Sequence, residues 1–162
     1  MTTATSSDTA VVTLPSDTRI QITREFAAPR HLVFRAWTTP DLVARWWHAD
    51  RGEIVSIDVD LRVGGAWRYV MTARGGFEVA FHGEYLEIVP DERLVTTDVF
   101  EGMPGAEAVT TTVFTEEAGR TRVVMTVDHP SREMRDAHVQ SGMEAGMQTA
   151  LNLLEQIAVS LH

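Results

Sequence analysis

The chain has 162 residues, enough for one domain with a sizeable core, and at 44% hydrophobic and 23% charged residues it has the composition of a globular protein. Its 23 Asp and Glu against 14 Lys and Arg give a formal charge of -9, which opposes binding to nucleic-acid phosphates and to anionic membrane. It contains no cysteine, which excludes disulfides, thiolate nucleophiles, Cys-ligated zinc and iron–sulfur clusters.

Residues 1–17 are rich in Thr, Ser, Ala and Asp, with Val11, Val12 and Leu14 ahead of Pro15. They lack the basic residues and apolar run of a signal peptide, and no stretch of the chain approaches the ~20 apolar residues of a membrane span. The expectation is a disordered tail over 1–17, one domain over 18–162, and a cytoplasmic location. Arg19 to Phe26 alternates, with Ile20, Ile22, Arg24 and Phe26 on one face, and reads as a strand. Pro29 opens a helix running to about Thr38, and Leu42 to Trp47 forms a second short one. Six further strands follow: Ile54–Leu61, Ala66–Thr72, Phe77–Val89, Leu94–Phe100, Val109–Thr115 and Arg120–Asp128. Gly64-Gly65 and Gly75-Gly76 mark tight turns, and Gly83 inside a long strand suggests a bulge or bend.

From Ser131 to Leu161 there is no proline, and Met143, Met147, Ala150, Leu151, Leu154, Ile157, Ala158 and Leu161 step by three and four. The spacing predicts one long helix, capped by Ser131, laid across an antiparallel sheet. Gly142 and Gly146, four apart on one face, suggest close approach to the sheet or room for a bound molecule. The fold class is therefore α+β: a curved sheet of about seven strands around a long C-terminal helix, with two short helices after the first strand.

Four stretches carry a resemblance. Phe34-Arg35-Ala36-Trp37-Thr38-Thr39-Pro40-Asp41-Leu42 with Trp46-Trp47, Asp60 to Trp67 with its Gly64-Gly65-Ala66-Trp67 hairpin, Gly83 to Leu94, and Gly142 to Met147 resemble the bacterial single-domain proteins named after the activator of Hsp90 ATPase. These belong to the START-like helix-grip superfamily, and the resemblance covers about residues 19–161. It implies the helix-grip (Bet v 1-like) fold and a central apolar cavity rather than one catalytic set. Met147 stands where many relatives carry Trp, and the softer thioether reshapes the cavity wall.

The residues assigned to that cavity are Trp46, Trp47, His48, Trp67, Tyr69, Met71, Phe81, Phe100, Met143 and Met147. Trp37 and Trp67 read first as core packing, because tryptophan buries a large area anyway. Adjacent Trp46 and Trp47 cannot both face inward from one helical turn, so one of them belongs at the cavity mouth. His48 and His82 are lone histidines without a metal-ligand spacing, and no metal or other cofactor is expected. Parity puts Glu78 and Glu84 on the face of His82, which reads as the solvated side of the sheet; Glu87, Asp58 and Asp60 are further carboxylates.

Three functions fit. The leading one is binding of a small, largely apolar ligand between the last helix and the sheet. The second is an enzyme acting on a hydrophobic ligand in that cavity, with His48, His82 and Glu84 as acid–base groups. The third is a protein-interaction module with a chaperone partner, which predicts a filled core and an exposed apolar patch. The sequence leaves homodimerisation undecided.

Overall fold

The computed structural model describes residues 9–103 and 105–161. In chain order the elements are β1 (Val11–Thr13), β2 (Arg19–Phe26), α1 (Arg30–Thr38), α2 (Pro40–Val43), β3 (Gly52–Val59), β4 (Ala66–Ala73), β5 (Glu78–Val89), β6 (Arg93–Phe100), β7 (Glu107–Glu117), β8 (Arg120–Asp128), α3 (Arg132–Gln140) and α4 (Met143–Ser160). Eight strands form one curved antiparallel sheet in the order β1-β2-β8-β7-β6-β5-β4-β3. The protein is thus α+β with the helix-grip architecture. No helix among the described residues is long and apolar enough to cross a membrane.

Strand alternation decides which side chains meet the helices. In β2, Ile20, Ile22, Arg24 and Phe26 are all buried while their neighbours are partly exposed. Register carries this inner face across the sheet. Ile20 pairs with Val127, Val127 with Thr110, Thr110 with Thr96, and Thr96 with Tyr85. Against this face lies α4, whose Leu151, Leu154, Ile157 and Ala158 are buried and which packs on α1. Phe34, Trp37 and Phe114 close the core with edge-to-face ring contacts at 5.4 and 5.5 Å.

The C-terminal segment departs from the predicted single helix. It is two helices, because Gly142 takes a left-handed φ of +83° between α3 and α4. An L-residue there is strained, so this glycine serves as a helix breaker and not as a point of approach to the sheet. Gly146 is inside α4, and a Cβ on it would lie 3.0 Å from the Arg51 guanidinium carbon. Its small size makes room for a side chain of the protein itself. Ser131 does cap α3, its hydroxyl accepting from the Met134 N–H at 3.2 Å.

Two other expectations change. Val11–Thr13, read from sequence as part of a tail, forms an eighth strand on the outer edge of β2. The Gln148 side chain holds it there, accepting from the Ala10 N–H at 2.9 Å and donating to the Ala10 carbonyl at 2.8 Å. Residues 1–8 of the expected tail lie outside the described residues. Gly83 does not mark the bulge of β5, whose register shifts between Tyr85 and Glu87. A Cβ on Gly83 would meet the Thr97 carbonyl oxygen at 1.7 Å and Trp67 Nε1 at 2.7 Å, so close approach requires glycine here.

At the junction of β8 and α3, His129 and His138 are hydrogen-bonded ring to ring at 2.9 Å. Burial lowers both pKa values, and the neighbouring His129 pushes His138 further, to about 4 from 6.5. Asp128 raises His129 and Arg135 lowers it, and neither reverses the effect of burial. Between pH 6.5 and 4 the unfolded chain therefore holds a proton that the folded chain refuses. This contribution is intact above pH 6.5 and is lost on acidification, by about 2 kcal/mol at pH 4. Urea unfolding at pH 7 and pH 4.5 checks it: His138→Gln should lose markedly less stability across that interval, and an equal loss in both proteins would refute the assignment.

Candidate functional site: an aromatic ladder ending at a half-buried carboxyl

The segment after α2 is a run of turns, and it splits the two adjacent tryptophans. Trp46 is 7% exposed, and its Nε1 donates to the Ala36 carbonyl at 2.9 Å, so it belongs to the core beside Trp37. Trp47 points the other way, to the sheet. Its ring lies 5.4 Å from Tyr69 and 5.9 Å from Phe81. Tyr69 continues to Trp67 at 4.9 Å, and Phe81 to Phe100 at 5.0 Å. Five residues assigned from sequence, Trp47, Trp67, Tyr69, Phe81 and Phe100, thus form one connected ladder over β4, β5 and β6. The alternation of β4 creates it, because Trp67, Tyr69 and Met71 share the inner face and Tyr69 pairs with Phe81, which pairs with Phe100.

Met71 is buried on the same face, opposite Val79 and Ile54. Met143 and Met147 are partly buried and pack against the core from the first turns of α4. His48 stands apart. Its Nδ1 accepts from the Asp50 N–H at 2.9 Å, which puts the proton of the neutral ring on Nε2, facing the Arg45 carbonyl at 3.2 Å. It thereby braces a loop in which Ala49 and Asp50 both have positive φ, and shares no ring contact with the ladder.

The acid–base candidates do not converge. His82 lies on the outer face, where Nδ1 is 2.9 Å from a Glu101 carboxylate oxygen and Arg68 binds Glu101 through two hydrogen bonds of 2.8 and 2.9 Å. Those bonds, from Arg68 first and His82 second, hold the Glu101 carboxyl down at about 2. Glu84 is exposed, and its backbone N–H donates to Thr97 Oγ1. Among the described residues no cluster of three or more His, Asp or Glu is arranged to hold a metal ion.

A carboxyl not assigned from sequence does sit at the ladder. Asp98 is two residues before Phe100 on β6 and therefore shares its inward face. Thr96 Oγ1 donates to its Oδ1 and Thr110 Oγ1 to its Oδ2, each at 2.7 Å. Burial raises its pKa to about 6 from 3.8, against the opposing pull of the two hydroxyls. Burial likewise pushes the Tyr85 phenol up to about 12, and the Tyr69 phenol still higher, with the charge of Asp98 adding to both. Tyr69 and Asp98 nevertheless retain accessible surface. Both groups thus lie on the inner face of the sheet, desolvated by the protein around them yet still partly accessible. An open depression of about 270 Å³ around Arg30, Arg93 and Phe114 lies at the far end of β5–β7 and shares no residue with this cluster.

The sequence signal for Asp98 was its parity with Phe100. For Tyr85 it was the alternation from Phe81, which the bulge at Leu86 does not yet disturb.

The profile of the activator of Hsp90 ATPase homolog 1-like proteins matches residues 27–158. No protein of curated function matches the chain. A solved structure from Rhodobacter sphaeroides is 27% identical with a TM-score of 0.87, over 94% of this chain and 99% of that one. One from Mycobacterium smegmatis is 25% identical, with a TM-score of 0.83 over the same shares. The AHSA1-like protein from Aeromonas hydrophila is 27% identical, with a TM-score of 0.66 over 86% of this chain and 92% of that one. With 27–158 matched and the helix-grip fold in place, the chain belongs to the family of activator of Hsp90 ATPase homolog 1-like proteins.

Proposed function

We propose that this protein binds a small, largely apolar molecule on the concave face between α4 and the sheet. The observation that carries the reading is the accessible yet desolvated surface of Tyr69 and Asp98 beside the connected rings of Trp47, Trp67, Phe81 and Phe100. Apolar burial against those rings and against Met143 and Met147 supplies most of the affinity, at about 25 cal/mol per Å² removed from water, and a few polar groups fix orientation. The three acid–base residues read from sequence lie apart, so binding is favoured over catalysis by that set.

Native mass spectrometry of freshly purified protein tests this directly. A bound mass that disappears on denaturation is expected, and its identity names the cargo. Met147→Trp fills space at the start of α4 and should lower the affinity for the recovered molecule at least tenfold. An unchanged affinity would place the pocket elsewhere.

A further inference from the structure

The polar end of the ladder has a composition of its own. Thr96 and Thr110 occupy one lone pair on each oxygen of Asp98, and a carboxylate has about four such sites, so acceptor capacity remains. Tyr85 is 3% exposed, and it pairs across β5–β6 with Thr96, the residue that binds Asp98. Its phenol oxygen has no hydrogen-bond partner among the described residues, and neither does that of Tyr69. Neither oxygen is among the fully sealed unpaired atoms, which include Trp67 Nε1 and Asn152 Oδ1, so both phenols reach open space. Both phenols therefore keep their donor free for a group that approaches them.

We propose that Asp98, Tyr85 and Tyr69 form the recognition site for a hydroxyl group at the polar end of the ligand, with Asp98 accepting its proton in a hydrogen bond and the phenols donating to its oxygen. The inference rests on the binding reading above and names the chemical class of its ligand: an apolar, ring-bearing alcohol or phenol. The match is one of donors and acceptors. The site presents one acceptor and two donors, and a hydroxyl is complementary to both kinds. A carboxylate offers Asp98 no proton and brings a second negative charge to it. An ammonium offers the phenols no acceptor. A hydrocarbon end leaves all three groups unpaired, and a site built to hydrogen-bond an OH rejects the analogue that lacks it. The raised pKa of Asp98 agrees with this placement, since the carboxyl sits where water does not fully solvate it.

The test uses three matched probes on the full chain, 2-naphthol, 2-methylnaphthalene and 2-naphthoate, in ¹H–¹⁵N NMR titrations at pH 7.5. The Trp47 indole signal reports occupancy of the ladder whatever the head group. The expected result is that 2-naphthol binds at least tenfold more tightly than either of the others. Tyr85→Phe, which removes one oxygen and keeps the ring, should shrink the advantage over 2-methylnaphthalene to less than threefold, and Asp98→Ala should do the same. Should Asp98→Ala fail to fold, Tyr85→Phe alone decides. Equal affinities for naphthol and methylnaphthalene, with the Trp47 signal shifting for both, would overturn the hydroxyl assignment and leave the binding reading standing. No Trp47 shift with any probe would overturn both.

Discussion

Glu155→Ala should destabilise the protein by about 3 kcal/mol, the largest loss expected from any single truncation outside the apolar core. Arg24 is placed on the inner face by the alternation of β2 and is 1% exposed, a position otherwise held by Ile20, Ile22 and Phe26. Its Nη2 donates to Glu155 Oε1 at 3.0 Å, and its guanidinium lies 4.9 Å from the Phe26 ring centre. The second oxygen of Glu155 accepts from the Ala27 N–H at 2.9 Å. One carboxylate on α4 thus ties the helix both to β2 and to the chain entering α1. Removing a partner from a buried pair costs more than the pair contributes, because the remaining charge stays desolvated and loses the carboxylate that faces it. Replacing both residues by hydrocarbon is a different matter. Arg24→Met with Glu155→Leu should fold within about 1 kcal/mol of the parent, because no charge is then left buried. Urea unfolding of the single and double variants checks both, and a loss under 1 kcal/mol for Glu155→Ala would show that the contact is ornamental.

This pair also shows where sequence reading stops. The period-two pattern of Arg19–Phe26 placed Arg24 among apolar residues, and the fold then fixed that face inward. Nothing local indicated that Glu155, 131 positions away, would meet it. The eighth strand was hidden for the same reason: Val11–Thr13 is too short to hold itself, and its support is Gln148 and the edge of β2. A glycine in a helical pattern looks the same whether it is an interior residue or a left-handed terminator, so Gly142 could not be told from Gly146 without its φ. The shared face of Trp67, Tyr69 and Met71 was legible in the alternation of β4, whereas the continuation through Phe81 to Phe100 depends on the register between strands. The orientations of Trp46 and Trp47 were not legible, since the turn after α2 decides them. Asp98 was missed because an acidic residue on a strand reads as solvent-facing, and its parity with Phe100 carried less weight than its charge.

Asp98→Asn should stabilise the folded protein by about 2 kcal/mol at pH 8 and change little at pH 3.5. The unfolded chain releases the Asp98 proton near 3.8, while the folded protein keeps it up to about 6. Across that window the folded state binds more protons than the unfolded state, so the contribution of Asp98 to stability falls as pH rises and is fully unfavourable above pH 6. Asparagine has nearly the same shape and no charge to desolvate. Its Oδ1 accepts from one threonine, and its Nδ2 donates to the other, whose hydroxyl turns to accept. The expected signature is a stability difference between variant and parent that grows from pH 4 to pH 7 and then levels off, read from urea midpoints at constant m-value. A structural carboxylate held by two hydroxyls would give the opposite result, a loss at every pH above 4. The sign of the difference at pH 8 therefore separates an aspartate kept for the fold from one kept, at a cost in stability, for the hydroxyl proposed to meet it.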